Sequence, residues 1–350
     1  MARRAYSVTG ALRIIHKSAC DIMFKSKQFA GIIPVVDYKL CGLDVSDQQV
    51  KREDLYNAGK ELIDAFSAVG FVYLTNNGVD SSLWQEIRDV TDRFFNLEVA
   101  LKERYTSKES MLGYIGLNKE NLDKSKPEDF KEAFRMDGTV FKHPEKLPED
   151  ICPGIRNLIL KFMTICRSIA ERILDSLSMA MDFKEEDSLN KCHNLLQTEI
   201  NSSLLRLNHY APVDQNTLKL GSVRLGAHRD RGTVTLSFQD NVGGLQVEHN
   251  GKYVDVPPLQ NAILLNAGDA LHSISGGLIM SKKHRVVVPQ EEVKQRLTRH
   301  SYGFFAYPDD DVMINPPSIQ NDETSLNELP HSMTFKQLFT NWYSKTRVPN

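Results

Sequence analysis

The chain has 350 residues, of which 41% are hydrophobic, enough to bury the core of one large domain or of two ordinary ones. Its 43 Lys and Arg residues nearly balance 45 Asp and Glu residues, and the formal net charge of -2 favours neither nucleic acid nor an anionic membrane as a partner. The sequence contains no run of about 18 apolar residues, so we expect no membrane span. These properties predict a monomer that acts on small molecules.

The cysteines and the amino-terminal residues indicate in which cellular compartment the protein is expected. The five cysteines are scattered, odd in number and never in a CxxC pair, which indicates neither a disulfide framework nor a zinc knuckle. We therefore expect a reducing, cytoplasmic environment. The first 27 residues carry six basic residues against one acidic residue, a composition that is also typical of a mitochondrial transit peptide. Residues 1–30 are expected to form a basic, flexible extension, with mitochondrial targeting as the alternative.

The next part of the chain, residues 31–150, predicts a mixed amino-terminal region. Residues 32–37 (IIPVVD) and 71–74 predict strands, and residues 51–66 between them predict a helix because their apolar residues share one side. A charged amphipathic helix is predicted over 84–105. Residues 113–153 are rich in Lys, Asp, Gly and Pro, and they predict a long irregular connection.

The second half, residues 151–350, predicts a backing helix and a β-rich core. Apolar residues recur every three or four positions over 155–183, which is the clearest helical pattern in the chain. After residue 200, β-prone runs alternate with turns; they are 203–210, 233–238, 244–248, 253–256, 262–265, 285–288 and 301–307. This spacing predicts an antiparallel sandwich or barrel, followed by a last helix over 334–346. The expected fold class is mainly β with flanking helices.

A candidate metal site lies in the β-rich half. In residues 226–232 (GAHRDRG), His228 and Asp230 are two positions apart, so in extended backbone their side chains point to the same side. His284 opens the run KHRVVVP at the edge of another predicted strand and could supply a third ligand. Two histidines and one carboxylate on one side of an ion leave positions open, an arrangement suited to non-haem Fe(II) oxygen chemistry.

Other residues compete for these roles. His209, His249 and His272 are alternative third ligands, although the sequence around His284 suits a strand-edge ligand better. An HxD pair by itself is also found in ordinary polar turns. The metal site is therefore a hypothesis that depends on the third histidine meeting the pair.

A second group of residues is found in 299–305 (RHSYGFF). By strand alternation Arg299, Ser301, Gly303 and Phe305 share a face, which presents a guanidinium, a hydroxyl, a gap and an aromatic ring in order. Arg binds a carboxylate through two parallel charge-assisted hydrogen bonds, and a Ser hydroxyl can add a third. The segment predicts a carboxylate receptor, although an exposed strand of mixed polarity fits it too.

Together these motifs resemble the iron(II)- and 2-oxoglutarate-dependent dioxygenases of the isopenicillin N synthase-like family. The resemblance extends over nearly the whole chain, and its further elements are IIPVVD (32–37), GFVYLTNNG (70–78), GY (113–114), KEAF (131–134) and NHY (208–210). It implies a double-stranded β-helix (jelly-roll) core preceded by a helical amino-terminal region. It also implies that His228, Asp230 and His284 bind Fe(II).

The resemblance further implies a co-substrate site. Arg299 and Ser301 would hold the distal carboxylate of 2-oxoglutarate, Tyr210 would donate a hydrogen bond to it, and Phe305 would contact the prime substrate. The implied reaction uses Fe(II), 2-oxoglutarate and O2, with ascorbate as an accessory reductant. It oxidises a small molecule, by hydroxylation in the usual case, and releases succinate and CO2.

Two positions depart from the family pattern, which usually has His where Asn77 stands and Asn-Gly where Gly276 and Gly277 stand. Neither position is a ligand, so the catalytic interpretation is kept. Three alternatives stay open: an iron-dependent oxidase of the same fold that uses no 2-oxoglutarate, a zinc hydrolase with the same ligands, and a non-catalytic ligand- or iron-binding protein. Residues 111–137 and the carboxyl-terminal segment are expected to set the specificity for a substrate that the sequence does not identify.

Overall fold

The structure is a computed structural model that describes residues 29–107, 112–181, 189–213, 221–314 and 333–344. The expected basic extension and transit peptide lie outside the described residues, apart from the last two residues of the 1–30 segment. Residues 345–346 at the end of the last predicted helix also lie outside them.

The described part of the chain contains fifteen strands and seven α-helices. The strands are β1 (Phe29–Ala30), β2 (Ile33–Asp37), β3 (Phe71–Thr75), β4 (Gly113–Ile115), β5 (Glu132–Asp137), β6 (Leu204–Tyr210), β7 (Leu225–His228), β8 (Val234–Gln239), β9 (Leu245–His249), β10 (Lys252–Asp255), β11 (Ile263–Ala267), β12 (His284–Val286), β13 (Arg299–Ala306), β14 (Met313–Ile314) and β15 (Met333–Thr334). The helices are α1 (Arg52–Ala68), α2 (Ser81–Phe95), α3 (Val99–Glu103), α4 (Ile155–Ala180), α5 (Asp269–Ile274), α6 (Glu292–Gln295) and α7 (Phe335–Ser344). None of these helices is long and apolar enough to cross a membrane.

Two facing sheets form the core of the fold. The major sheet has nine strands in the order β1-β2-β3-β11-β8-β13-β6-β5-β4, and the minor sheet has four in the order β10-β9-β12-β7. Side chains of both sheets meet in one buried apolar cluster, in which Phe71 and Tyr210 of the major sheet join Leu245 and Val286 of the minor sheet. The expected jelly-roll core is therefore confirmed, with the amino-terminal region adding strands at both edges of the major sheet.

Strand alternation gives the major sheet two different faces. On β13, Tyr302 and Phe304 belong to the core beneath the helices, whereas Ser301, Gly303 and Phe305 line a cavity between the two sheets. Because neighbouring strands pair in register, the same division holds across the sheet. The apolar face thus packs on helices, and the face that carries polar groups is turned inward.

The long helix α4 covers the outer face of the major sheet, as its apolar spacing predicts. Its buried row includes Ile159, Phe162, Ile169, Ile173 and Leu177. Helix α1 packs across α4, and the two approach closely at Gly59. The sequence prediction for 155–183 is confirmed up to Ala180.

The helix predicted over 84–105 is wrong in its extent, because it is two helices, α2 and α3. Helix α2 begins earlier, where the side chain of Asp80 accepts a hydrogen bond from the backbone N–H of Ser82. The chain then turns, and Lys102 of α3 donates from its Nζ to the carbonyl of Phe95 at 2.7 Å. This side-chain contact to a carbonyl at the end of α2 stabilises the break, and helical periodicity does not reveal it.

The prediction that residues 113–153 form an irregular connection is also wrong, since this segment contains β4 and β5. Strand β5 pairs with β6 over its whole length, and Lys131, which precedes β5, is buried with Arg135 of β5. Both cations bind the carboxylate of Glu120. The charges that suggested a solvated loop are thus buried because Glu120, in the same segment, neutralises part of them.

The close approach of α1 and α4 predicts the effect of a substitution at Gly59. A Cβ there would lie 1.9 Å from the carbonyl oxygen of Ser176. Gly59→Ala is expected to lower the free energy of unfolding by about 1–3 kcal/mol, because the helices must separate. Helix propensity alone predicts the opposite sign, a gain of about 1 kcal/mol. Urea denaturation decides between them, with the exposed Asn57→Ala as control, and a more stable Gly59→Ala variant would contradict the packing argument.

Candidate metal centre

Three residues selected from the sequence meet at the inner side of the minor sheet. His228 is the last residue of β7, Asp230 follows it in the turn, and His284 opens β12, which pairs with β7 so that the two histidines are opposite one another. One donor atom from each residue lies within 4.8 Å of the others. Oδ1 of Asp230 is 3.6 Å from Nε2 of His228 and 3.8 Å from Nε2 of His284.

Backbone carbonyls orient the two imidazoles. Nδ1 of His228 lies 2.8 Å from the carbonyl oxygen of Gly226, and Nδ1 of His284 lies 3.2 Å from that of Lys282. A ring that donates its Nδ1 hydrogen to a carbonyl has its lone pair on Nε2. In both residues this is the nitrogen that faces Asp230, as metal ligation requires.

The two oxygen atoms of the Asp230 carboxylate have different neighbours. Its Oδ2 accepts hydrogen bonds from Thr235 Oγ1 at 2.7 Å and from Asn266 Nδ2 at 2.6 Å, which leaves Oδ1 facing the imidazoles. Burial alone would raise the pKa of this carboxyl, but the neighbouring histidines and these two hydrogen bonds lower it. Burial, and then the proximity of His284, lowers the pKa of His228 to about 3. A neutral imidazole beside an ionised carboxylate is the state in which both groups bind a metal.

The other candidate histidines lie elsewhere. His272 is in α5, where its Nδ1 contacts the carbonyl oxygen of Ile279 at 2.6 Å, and His249 ends β9 in the minor sheet. His209 points to the opposite face of the major sheet, where it meets His300. The donor set of His228, Asp230 and His284 consists of two imidazole nitrogens and one carboxylate oxygen with a cavity on one side, and it fits a divalent iron ion with open positions.

The carboxylate receptor predicted on β13 lines the same cavity. Arg299 is 1% exposed, and it pairs in register with Tyr210 of β6, whose ring lies 4.8 Å from its guanidinium. Its Nε donates to the carbonyl of Gly243 at 2.8 Å and its Nη2 to Gln239 at 3.3 Å, whereas Nη1 is buried without a hydrogen-bond partner among the described residues. A buried guanidinium with a vacant donor fits the carboxylate of a bound ligand.

Ser301 and Phe305 lie along the same strand as Arg299 and line this cavity together with Tyr210 and the three potential metal ligands. The expectation that Arg299, Ser301, Gly303 and Phe305 share one face is therefore confirmed. The cavity also contains Asn266 and Thr235, which the sequence analysis missed. Only the pairing of β11 and β8 with their neighbours brings these two residues beside Asp230.

A second compartment opens on the other side of the potential metal ligands. It shares His228, Asp230 and Phe305 with the first, and its remaining lining residues are Leu122, Arg135, Leu204, Arg206, Arg231, Tyr307, Phe339 and Trp342. The three arginines were also missed. For Arg206 the signal was present, because it stands two and four positions before Asn208 and Tyr210 and so shares their inward face.

The hydrogen bonds to Asp230 Oδ2 predict a defined loss of metal affinity. Asn266→Ala removes one donor and is expected to weaken Mn²⁺ binding at this centre by about 10- to 100-fold, because the carboxylate loses part of its orientation. Electron paramagnetic resonance titration in competition with a chelator measures the change. The exposed Asn241→Ala is the control, and equal affinities of the two variants would contradict the role of Asn266.

Comparisons with known proteins agree with this geometry. Residues 201–308 match the family model of the 2OG-Fe(II) oxygenase superfamily, and residues 33–150 match that of the amino-terminal region of the non-haem dioxygenases in morphine synthesis. The chain is 30% identical over 281 residues to the 2-oxoglutarate-Fe(II) type oxidoreductase ppzD of Metarhizium majus, which covers 71% of this chain and 78% of the relative. It is 27% identical to the 2-oxoglutarate-dependent dioxygenase frbA of a Dothideomycetidae species, over 81% of this chain and 88% of the relative.

Solved structures are similar as well. A full-length Neurospora crassa protein in complex with alpha-KG and 5-formyluracil has a TM-score of 0.70 at 25% identity, and the match covers 89% of this chain and 95% of that chain. A 2OG-Fe(II) oxygenase family protein of Caulobacter crescentus has a TM-score of 0.70 at 23% identity, covering 90% and 99%. Members of this superfamily use iron, 2-oxoglutarate and O2, and the reaction class follows. The chain belongs to the 2OG-Fe(II) oxygenase superfamily, and it is a 2-oxoglutarate-dependent dioxygenase.

Proposed function

We propose that this dioxygenase hydroxylates a small molecule that carries a carboxylate, and that Arg206 binds this carboxylate beside the metal. The observation that carries the proposal is that Arg206 lies in the second compartment beside two of the potential metal ligands, His228 and Asp230, and shares its carboxylate partner, Glu120, with two other cations. In the same proposal, His228, Asp230 and His284 are the iron ligands. When bound, iron, 2-oxoglutarate and O2 supply an oxidant that converts a C–H bond into C–OH, while 2-oxoglutarate becomes succinate and CO2.

The residues of the first compartment would orient 2-oxoglutarate. Arg299, held from behind by Gly243 and Gln239, offers its remaining Nη1 to the distal carboxylate. The hydroxyls of Ser301 and Tyr210 line the same space and can donate to that carboxylate. Burial raises the pKa of Tyr210, so its hydroxyl stays protonated and able to donate. These groups fix the co-substrate without taking part in bond making.

Positive charge accumulates on the substrate side. Arg206, Arg135 and Lys131 are all buried and all bind one carboxylate, that of Glu120. Asp129 is the next acidic group; burial raises its pKa to about 6, and its Oδ1 is already bonded to the N–H of Gly226 at 2.8 Å. Arg206 thus shares its carboxylate partner with two other cations, and buried charge is stabilised by a counter-ion.

Arg206 and Arg135 of this network both line the second compartment together with His228 and Asp230, and the charge of Arg206 is among those that lower the pKa of His228. The Nε of Arg206 is buried without a hydrogen-bond partner in the described part of the chain. Arg231, also in the compartment, pairs with Asp269, whereas Arg206 shares Glu120 with two other cations. The free donor of Arg206 is therefore the contact expected for an anion that enters this compartment.

The rest of the compartment is apolar. Its walls are Leu122, Leu204, Phe305, Tyr307, Phe339 and Trp342. A substrate with an acidic end and an apolar body fits these walls, and they would keep bulk water away from the reacting C–H bond. Residues 112–137 supply Leu122, and α7 supplies Phe339 and Trp342, the two segments that the sequence analysis proposed to set specificity.

Membership of this superfamily does not identify the chemical class of the substrate. By their names, one relative is the proline hydroxylase buaE of Petromyces alliaceus, at 28% identity, and one similar structure is the Neurospora crassa protein in complex with thymine. The first ligand carries a carboxylate and the second does not. The charge of the pocket is thus what favours an acid for this chain.

The proposal includes the finer expectations from the sequence. These are membership of the isopenicillin N synthase-like group, a cytoplasmic monomer that does not bind nucleic acid, and ascorbate as an accessory reductant. Support for a reducing compartment comes from Cys41, Cys152 and Cys166, which are buried thiols. A stimulatory effect of ascorbate on repeated turnover tests the last of these expectations.

The substrate proposal predicts a preference for acids over their amides. Purified enzyme with Fe(II) and 2-oxoglutarate is screened with carboxylic acids and the matching primary amides, measuring succinate formed per O2 consumed. Acids are expected to accelerate succinate formation, and amides to leave it at the uncoupled rate. Equal acceleration by both would contradict recognition by Arg206. O2 consumption without succinate would instead identify an oxidase that uses no 2-oxoglutarate.

Once an acid is found, Arg206→Gln is expected to raise its KM at least about 10-fold, because one charged hydrogen bond contributes roughly 1.5–3 kcal/mol. Uncoupled turnover of 2-oxoglutarate is expected to be retained. Glu120 keeps Lys131 and Arg135, so the network should still fold. The control is Arg285→Gln, which changes an arginine stacked on Tyr253 in the minor sheet. An unchanged KM in Arg206→Gln would refute the assignment.

The co-substrate assignment predicts that Arg299→Lys raises the concentration of 2-oxoglutarate needed for half-maximal rate. The expected increase is about 10- to 100-fold, since an ammonium cannot reproduce both the bond to Gly243 and the fork toward a carboxylate. Steady-state kinetics with varied 2-oxoglutarate measures it. The exposed Arg296→Lys serves as control, and an unchanged requirement in Arg299→Lys would show that the clamp is elsewhere.

A further inference from the structure

A second cluster of potential metal ligands lies on the outer face of the major sheet. Asp92 of α2, His209 of β6 and His300 of β13 each offer one donor atom, and the three atoms lie within 4.8 Å of one another. His209 and His300 are directly opposite in the pairing of β6 with β13. We propose that this cluster is a second metal site, which binds Zn²⁺ or a similar divalent ion and joins α2 to both strands.

His300 has the surroundings of a metal ligand. Its Nε2 lies 3.2 Å from Oδ1 of Asp92, and its Nδ1 lies 3.7 Å from Oδ2 of Asp240 on the other side. Asp240 also accepts a hydrogen bond from the backbone N–H of His300, so the carboxylate is fixed in place. A ligating histidine is commonly oriented by a carboxylate at its other ring nitrogen. Asp240 would supply that support while Asp92 shares the ion.

His209 is the least satisfied side chain of the cluster. It is 5% exposed, and neither of its ring nitrogens has a hydrogen-bond partner among the described residues. The ring of Phe95 stacks on it at 4.8 Å, and the nearest carboxylate oxygen, of Glu132, is 3.7 Å from Nδ1. A buried polar group without a partner costs about 1–3 kcal/mol. Ligation of an ion by one of these nitrogens would remove that cost.

The charges around the cluster suit a cation. Within the described residues, no Lys or Arg nitrogen lies within 4.0 Å of the Asp92 carboxylate, and Lys102 is bound to Glu132 instead. A carboxylate oxygen and two imidazole nitrogens are ligands that Zn²⁺ accepts, with water as the fourth. The side chain of Asp92 is 44% exposed, which gives solvent a path to the ion.

The spacing of the donors is also suitable. Two ligand atoms, each about 2.0–2.2 Å from a tetrahedral ion, lie roughly 3.4 Å apart. The observed 3.2 Å between His300 Nε2 and Asp92 Oδ1 is close to this value. The pair at the first centre, His228 Nε2 and Asp230 Oδ1, is separated by a similar 3.6 Å.

The second cluster and the carboxylate receptor lie on opposite faces of the same two strands, β6 and β13. His209 precedes Tyr210, and His300 stands between Arg299 and Ser301, so the groups proposed to hold 2-oxoglutarate alternate with the proposed ligands of the second ion. An ion on the outer face would hold β6, β13 and α2 together. We therefore expect its loss to lower the melting temperature and to loosen the carboxylate receptor across the sheet.

Metal stoichiometry tests the second site directly. Full-length protein is stripped with a chelator, equilibrated with Zn²⁺, desalted and analysed by mass spectrometry of the metal. Two equivalents are expected in the wild type and one in Asp92→Asn. Asp89→Asn, one turn away on the same exposed surface of α2, is the control and is expected to keep two. One equivalent in the wild type, or two in Asp92→Asn, would overturn the proposal.

A variant of the first centre tests whether the remaining metal ion is bound by Asp92, His209 and His300. Asp230→Ala damages the first centre and is expected to keep one equivalent, with Co²⁺ showing the intense visible absorption of a tetrahedral site. Zn²⁺ is expected to raise the melting temperature of Asp230→Ala but not that of the double variant Asp92→Asn/Asp230→Ala. Absence of bound metal in Asp230→Ala would also refute the second site. Metal content and melting temperature do not depend on succinate formation. The second metal site can therefore be refuted without refuting the proposed function, and the reverse is also true.

Discussion

The pairing of β6 with β13 is the constraint on which the two sites depend. It sets Arg299 opposite Tyr210 and His300 opposite His209, so that alternate residues of both strands face the cavity and the helices in turn. A shift of one residue would exchange the two sets and turn the carboxylate receptor into the apolar core. The register is held because Tyr302 and Phe304 fill the core beneath α4 on one face. Packing on the outer face therefore fixes the chemistry of the inner face.

The hydrogen bonds that orient the potential metal ligands on the inner face all come from uncharged groups. Carbonyl oxygens select the tautomer of His228 and His284, and Asn266 and Thr235 occupy one oxygen of Asp230. None of these partners carries a charge, so none of them competes with an ion for Oδ1 of Asp230. A cationic partner for Asp230 would have competed with the metal for the same oxygen atoms. The uncharged hydrogen-bond partners of His228, Asp230 and His284 are thus part of what makes the centre suitable.

Local patterns predicted much of this arrangement. The spacing of His228 and Asp230, the alternation of Arg299 with Ser301, and the apolar row of α4 each depend on neighbours in sequence, and the structure reproduces them. Strand β5 and the placement of Asn266 depend on partners far along the chain, in β6 and at Asp230. The break between α2 and α3 depends on a nearby contact, but helical periodicity does not mark Lys102 as the residue that binds the carbonyl of Phe95. The pairing of Lys131 with Glu120 leaves no periodic signal either, so these segments were misassigned.

Two guanidinium groups on one cavity raise the question of how two carboxylates are kept apart. Arg299 donates from its Nε to a carbonyl and from its Nη2 to an amide, both neutral, so its full charge is available to a bound anion. Arg206 instead binds Glu120, which it shares with two other cations, so one carboxylate is divided among three positive charges. In the proposed function the two acids are therefore distinguished by the groups beside each arginine: Tyr210 and Ser301 add hydroxyl donors at Arg299, whereas the walls around Arg206 are mostly apolar. Two carboxylates that need different numbers of hydrogen-bond donors would thus take different places.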